Sequence, residues 1–359
     1  LNLSKVDKYL IYSYLFYFVT FVLSLSINGG KMRDLDTASR VVFFVPVLLL
    51  LLKYPIKTCV LSYSIPLGSI ISLCVALYDK FILNLRPEQN PRIMHIQGGD
   101  ISMSLGIFSL IIALYAHQKK DIKLTTLSVI GGLCGIVGSL LSTARGGWVA
   151  LPVLLIVILY IYRHSLSKRF FLTFFGIIMV TSIGISQMPN NRIMERINVA
   201  QKDIQLYLDK NNGNTSLGAR FEMWKSALEM AKEKPLFGWG IQGATEKRKQ
   251  ETKEKIVTGN IGKFTHAHNQ YLDDLSKRGI VGLLALLAVL FIPLRAFMKK
   301  LSTTNDEVNL IATLGVAHIL SVMIYGLSQG FLVHNSGTIF YFFLTIVFYA
   351  AIRTHQKAE

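Results

Sequence analysis

Two histidines stand two residues apart in Thr265-His266-Ala267-His268-Asn269-Gln270-Tyr271-Leu272, near the end of a polar, basic stretch over residues 188–277. An unperturbed imidazole has a pKa of about 6.5, so near neutral pH it can take a proton from a sugar hydroxyl. His268 is therefore the candidate general base, and Asn269 and Tyr271 are placed to orient the ring or to bind sugar. The competing assignment is an interfacial histidine bonded to backbone. His266 raises the idea of an HxH metal pair, but no third Cys or His ligand lies at useful spacing, so no metal is expected.

The cations around these imidazoles point to an anionic partner. Arg145 lies in Ser142-Thr143-Ala144-Arg145-Gly146-Gly147-Trp148, between two apolar runs. A guanidinium grips phosphate oxygens in a bidentate fork, which an ammonium cannot do. Two following glycines let a backbone or ligand come close. The plainer alternative is a snorkelling arginine at a tight interhelical turn. Arg220 opens an amphipathic segment, and a helix N-terminus with a guanidinium makes an anion site. Pairing with Glu222 is its alternative. Arg40 and Arg86 are further cations in two other connecting segments. Trp239, between Gly238 and Gly240, offers a plate for a sugar or an interfacial anchor. Asp34-Leu35-Asp36 has the form of a divalent-cation triad. Lys31, Arg33 and Arg40 flank it, so an ion-paired loop is the better reading.

The elements that must position these groups are membrane helices. The chain has 359 residues, 52% hydrophobic, and a mean hydropathy of +0.44. Apolar runs recur at lengths able to cross a hydrocarbon core of about 30 Å. Ten spans are read: 9–27, 37–53, 58–78, 100–117, 122–142, 146–162, 169–187, 278–298, 307–326 and 336–353. The first is expected to be a spanning anchor rather than a cleavable signal. Lys and Arg cluster at Lys5, Lys8, Lys53, Lys57, Lys119, Lys120, Arg163, Arg295 and Arg353, all on one side if both termini are cytoplasmic. The basic stretch then faces outward; loops beyond about 60 residues escape the positive-inside rule. The formal net charge of +17 thus reflects helix ends and an anionic substrate, not nucleic acid. Three cysteines, Cys59, Cys74 and Cys134, lie in apolar runs and are expected to be buried and inert, without a disulfide framework.

The outward stretch is itself expected to fold. Phe221, Trp224, Leu228 and Ala231 share a face of a helix over 219–234, with Ser216 as N-cap and Pro235 and Gly238 as its stop. A charged helix over 245–256 and a short one over 266–277 follow. Three parts result: a bundle over 1–187, a loop over 188–277, and closing spans over 278–359.

These residues and this layout resemble the O-antigen ligase and polymerase superfamily of bacterial envelope enzymes. The resemblance is carried by Asp36 to Arg40, Arg145-Gly146-Gly147-Trp148, Gly218-Ala219-Arg220 with Trp224, Pro235 to Gly240, and His268-Asn269-Gln270-Tyr271-Leu272. It implies an all-α integral membrane protein, a polytopic helical bundle of GT-C-like architecture with one large periplasmic loop; such ligases usually show twelve spans. The loop placement and the His-Asn pattern look more like the ligase branch. That branch transfers a glycan from undecaprenyl diphosphate to a sugar of lipid A core, at the outer face of the Gram-negative inner membrane, with inversion and without a metal or other cofactor. The resemblance makes His268 the base and Arg145 and Arg220 the diphosphate-binding arginines. Arg40, Arg86, Trp224, Trp239, His266, Asn269 and Tyr271 are the expected substrate contacts. A polymerase of the same superfamily and a lipid-linked glycan transporter are the competing functions.

Overall fold

A computed structural model describes residues 2–85, 93–143, 145–163, 166, 192–301 and 303–355, without the side chains of 145, 192–197, 354 and 355. Arg86 and the span expected at 169–187 lie outside the described residues. Among the described residues every regular element is a helix. α1 (Lys5–Asn28), α2 (Asp36–Lys53), α3 (Thr58–Phe81), α4 (His95–Gln118), α5 (Ile122–Ser142) and α6 (Arg145–Ile161) precede α7 (Arg192–Lys210), α8 (Ser216–Glu233) and α9 (Gly240–Lys253). α10 (Gln270–Met298), α11 (Asp306–Gly326) and α12 (Asn335–His355) close the chain.

Eight of these helices are long and apolar enough to cross a membrane, and the stretch Gly146–Ile161 is a shorter apolar helix. They coincide with nine of the ten expected spans, so the protein is a polytopic helical membrane protein. α4, α11 and α12 form its centre, whereas α1, α2 and α3 keep most of their surface outward. Small residues let α3, α4 and α5 approach: Ser69 donates to the Gly131 carbonyl at 2.7 Å and Ser102 to that of Gly135 at 3.0 Å. With lipid as apolar as leucine, such close contact and hydrogen bonding hold membrane helices together. Cys59 and Cys74 lie on the exposed surface of α3 and Cys134 is half-buried, which corrects the expectation of buried thiols. An apolar run does not distinguish a lipid-facing side from a packed one.

The polar stretch folds onto the bundle end where α1 and α11 finish and α2, α10 and α12 begin. α8 starts as expected, although Thr215 rather than Ser216 is its N-cap, accepting from the Gly218 amide. α9 begins at Gly240, earlier than expected, because the preceding glycine turn already redirects the chain. α7 is an element the sequence reading did not separate. The decisive feature is a break in α10 at Gly279, whose φ is +63°. There the segment after α8 inserts: the Pro235 carbonyl accepts from Ile280 N at 2.8 Å, and Trp239 N donates to the Ser276 carbonyl at 3.0 Å. A Cβ on Gly279 would fall 2.3 Å from Leu236 backbone, so only glycine admits this strap. The loop is thereby stapled to the short helical piece that begins α10.

Candidate functional site

The short segment 265–269 is held from three sides. From α8, Trp224 Nε1 donates to the Ala267 carbonyl at 3.1 Å. From α9, Arg248 Nη1 donates to the Phe264 carbonyl at 3.1 Å. From α10, Asp273 Oδ1 accepts from the Ala267 amide at 2.9 Å. Asn269 ends the segment as the N-cap of α10, accepting from Tyr271 N and Leu272 N, while its Nδ2 donates to the Leu327 carbonyl at 3.3 Å. That cap moves the helix start from the expected 266 to Gln270.

Asp273 is the centre of this scaffold. It is buried, with Lys277 Nζ at 2.7 Å and Arg248 Nη2 at 3.5 Å. Beside it Asp274 pairs with Arg278, whose Nη1 also donates to Thr20 on α1 and whose guanidinium lies 3.9 Å from the Phe21 ring centre. Buried charges survive only when paired and hydrogen-bonded, and here each partner is within one helical turn or on a neighbouring helix. A cavity of about 130 Å³ adjoins this scaffold, lined among others by Thr37, Thr265, Gln270, Lys277 and Arg278.

On this support sits a cluster of three imidazoles. The rings of His266 and His268 are 4.3 Å apart between centres, and those of His266 and His334 are 5.7 Å apart. His268 Nδ1 lies 2.8 Å from Gln329 Oε1. The His268 backbone is in the left-handed region, with φ +49°. Histidine reaches that region more often than most side chains, but it is still uncommon, and such conformations gather at functional sites. Arg220, on α8, is near enough to His268 for its charge to oppose protonation of the ring.

An uncharacterized protein of Haemophilus influenzae is 43% identical over 348 residues, which are 97% of this chain and 87% of that one. The exopolysaccharide production protein ExoQ of Rhizobium meliloti is 27% identical over 124 residues, 33% of this chain and 28% of its own. Residues 130–287 match a family model described as O-antigen ligase. That match places a domain of the O-antigen ligase and polymerase superfamily over residues 130–287 of the chain. Members of this superfamily are glycosyltransferase-like enzymes, and the matched region contains Arg145, Arg220 and His268.

Several residues expected from the superfamily resemblance converge and others do not. His266, His268 and Asn269 share the pinned segment, Trp224 bonds to it from α8, and Arg220 lies near enough for its charge to act on His268. Arg145 opens α6, and only its backbone is described. The next residue, Gly146, lies against the Asp100 carboxylate of α4, which is 2.9 Å from where a Cβ would stand. Met94, six residues earlier and about 9 Å away along the helix, touches Gln329. α4 thus brings the start of α6 toward His268. Arg40 is occupied by Asp36 at 3.1 Å, and Asp36 in turn accepts from Asn335, the residue after His334. Trp239 lies away from the imidazoles: its Nε1 donates to the Met230 carbonyl and Lys234 sits 4.2 Å over its ring. Tyr271 donates to the Met323 carbonyl at 2.9 Å, a bond that anchors α10 to α11. Asp34 accepts from Gln242 and from the Lys31 amide. Among the described residues no group of three His, Cys, Asp or Glu side chains is arranged to hold a metal ion.

Burial and a neighbouring imidazole push His266 down to about 3, so it stays neutral throughout the physiological range. Burial, opposed in part by the Gln329 bond and helped by Arg220, also lowers His268, and burial lowers His334. A base works in its neutral form. With the His268 pKa below its ordinary value, that form persists further into acid. Glycan transfer is therefore expected to be flat across neutral pH and to decline only below about 6.5, the unperturbed imidazole value. An acid limb centred above neutrality in a kcat/KM profile would contradict this assignment.

Proposed function

We propose that the protein is an O-antigen ligase that passes a glycan from undecaprenyl diphosphate to a sugar hydroxyl of lipid A core. The observation that carries this reading is His268, held by Gln329 in a left-handed backbone and near enough to Arg220 for that cation to oppose its protonation. Such a donor already has a good leaving group. The reaction needs charge stabilisation on the departing diphosphate and a base on the opposite face of the anomeric carbon. Arg145 and Arg220 supply the first through bidentate contacts, and His268 the second. The hydroxyl proton moves to His268 Nε2 as the new C–O bond forms and the C–O bond to diphosphate breaks. One in-line displacement inverts the anomeric centre. His266 Nε2 makes no hydrogen bond among the described residues, which suits a contact to the acceptor sugar. The site faces the periplasm from an inner membrane, with both chain termini in the cytoplasm.

The broken α10 is the feature a transporter would use, since transporters bind cargo at interrupted helices. Here the charges before the break are committed to one another. The Rhizobium relative, an exopolysaccharide production protein, favours a second reading, a polymerase that extends the glycan on its lipid carrier. Purified protein in vesicles, given lipid-linked glycan with and without lipid A core, separates the two. Product on lipid A core supports the ligase. Chain growth on the carrier alone, unaffected by lipid A core, assigns the polymerase. In the same assay transfer is expected to persist with excess chelator, because Asp34 and Asp36 are occupied by Gln242, Asn335 and Arg40. Loss on chelation with recovery on magnesium would return those two carboxylates to the site.

A further inference from the structure

We propose that Gln329 is a positioning residue that fixes the tautomer of His268 and couples it, through one neutral carboxamide, to His334. The proposal rests on His268 acting as the base. Gln329 lies in the turn between α11 and α12, is 1% exposed, and is held there by its backbone N–H donating to the Tyr325 carbonyl at 3.0 Å. Sequence separation hides the link, since 61 residues divide it from His268.

The orientation of the carboxamide follows from its neighbours. One end lies 3.8 Å from Met94 Sδ, and the same atom is 3.4 Å from His334 Nε2. A thioether sulfur has lone pairs but no proton. With the NH2 group toward Met94 the amide donates to the sulfur, whereas the reverse placement sets a carbonyl oxygen against it, acceptor to acceptor. Oε1 then faces His268 Nδ1 at 2.8 Å, and a carbonyl oxygen at that distance requires the proton to be on Nδ1. The lone pair of His268 is left on Nε2, which is where a base needs it. On the far side the amide proton goes to His334 Nε2, so that ring carries its own proton on Nδ1. One buried side chain sets both tautomers.

The chemistry of the group explains why an amide suits this place. A carboxylate against Nδ1 would attract a proton to the ring and keep the base protonated near neutrality. The carboxamide orients the ring without that penalty. When His268 takes the acceptor proton, its Nδ1–H bond to Oε1 becomes charge-assisted and shortens. The polarised amide then donates more strongly to His334, which spreads the new charge over three groups. The proton remains on His268; neither Gln329 nor His334 gains or loses one.

The test uses the full chain in lipid vesicles, labelled with nitrogen-15 histidine, with Gln329→Met and Gln329→Glu beside the wild type. The His268 signals are assigned by their loss in His268→Asn. The wild type should show Nδ1 protonated and Nε2 bare near neutral pH. Gln329→Met should populate the opposite tautomer, with kcat reduced about 10- to 100-fold, less than the full worth of a general base, and an unchanged KM for the lipid-linked donor. Gln329→Glu should restore the tautomer and move the acid limb of the pH profile up by about one unit. A wild-type His268 protonated on Nε2 overturns the proposal, as does a tautomer indifferent to both substitutions. If the tautomer follows Gln329 while His268→Asn transfers glycan normally, the base assignment fails and the coupling stands. If His268→Asn is inactive and the tautomer ignores Gln329, the base assignment stands and this inference fails.

Discussion

His268→Asn is expected to lower glycan transfer by about 10²- to 10⁴-fold, the usual worth of a positioned general base. Asparagine is the informative replacement, because it tolerates the left-handed backbone that His268 adopts at φ +49°. His268→Ala would mix loss of the base with strain at that position. The variant should bind the lipid-linked donor normally and keep its fold, since the backbone of the segment stays pinned through Ala267 and Asn269 when the imidazole bond to Gln329 is lost. Turnover measured with saturating donor and acceptor checks it. Full activity in His268→Asn would remove the base from the mechanism.

Asp273→Ala is expected to have the largest effect on stability. The substitution leaves Arg248 and Lys277 buried as cations without their carboxylate, and it removes the acceptor for the Ala267 amide. Breaking a buried ion pair by deleting one partner costs about 3–5 kcal/mol. The cost falls on the junction between the polar stretch and α10, so the histidine segment should lose its fixed geometry and transfer should be lost with it. Thermal unfolding in detergent, followed together with activity, measures both. A melting temperature equal to wild type would show that the charge cluster contributes nothing, and the positioning argument built on it would fall. Asp273→Asn should sit between, because the amide still accepts from Ala267 but cannot neutralise the two cations.

The membrane helices were legible because hydropathy over about 20 residues reports a span almost directly. Nine expected spans coincide with helices, and His268, Arg145 and Arg220 were named from residue type and local pattern. What the sequence hid depends on tertiary packing. Arg248 lies in Thr245-Glu246-Lys247-Arg248-Lys249-Gln250-Glu251, a run that reads as a solvated helix face. Its burial shows only in the three- and four-residue spacing of Ala244, Arg248 and Glu251, which form the inner face of α9. Gln329 and His334 sit in a short turn between two spans, and no spacing rule joins them to His268. Only the antiparallel run of α10, α11 and α12 folds that turn onto the histidines. The break at Gly279 was half-visible: a glycine at the start of an apolar run marks a boundary, but its occupation by the strap after α8 depends on a partner 40 residues earlier. The exposed thiols of Cys59 and Cys74 have a related cause, since lipid-facing and packed sides of α3 are equally apolar.

The most direct test is a structure of the protein in a lipid bilayer with undecaprenyl diphosphate bound. The diphosphate oxygens should lie within hydrogen-bonding distance of the Arg145 and Arg220 guanidiniums. The ester oxygen that would carry the sugar should point toward His268 Nε2, with space between them for the sugar and the incoming hydroxyl. A diphosphate held elsewhere, with either arginine out of reach or the imidazole on the side of the leaving group, would contradict the account.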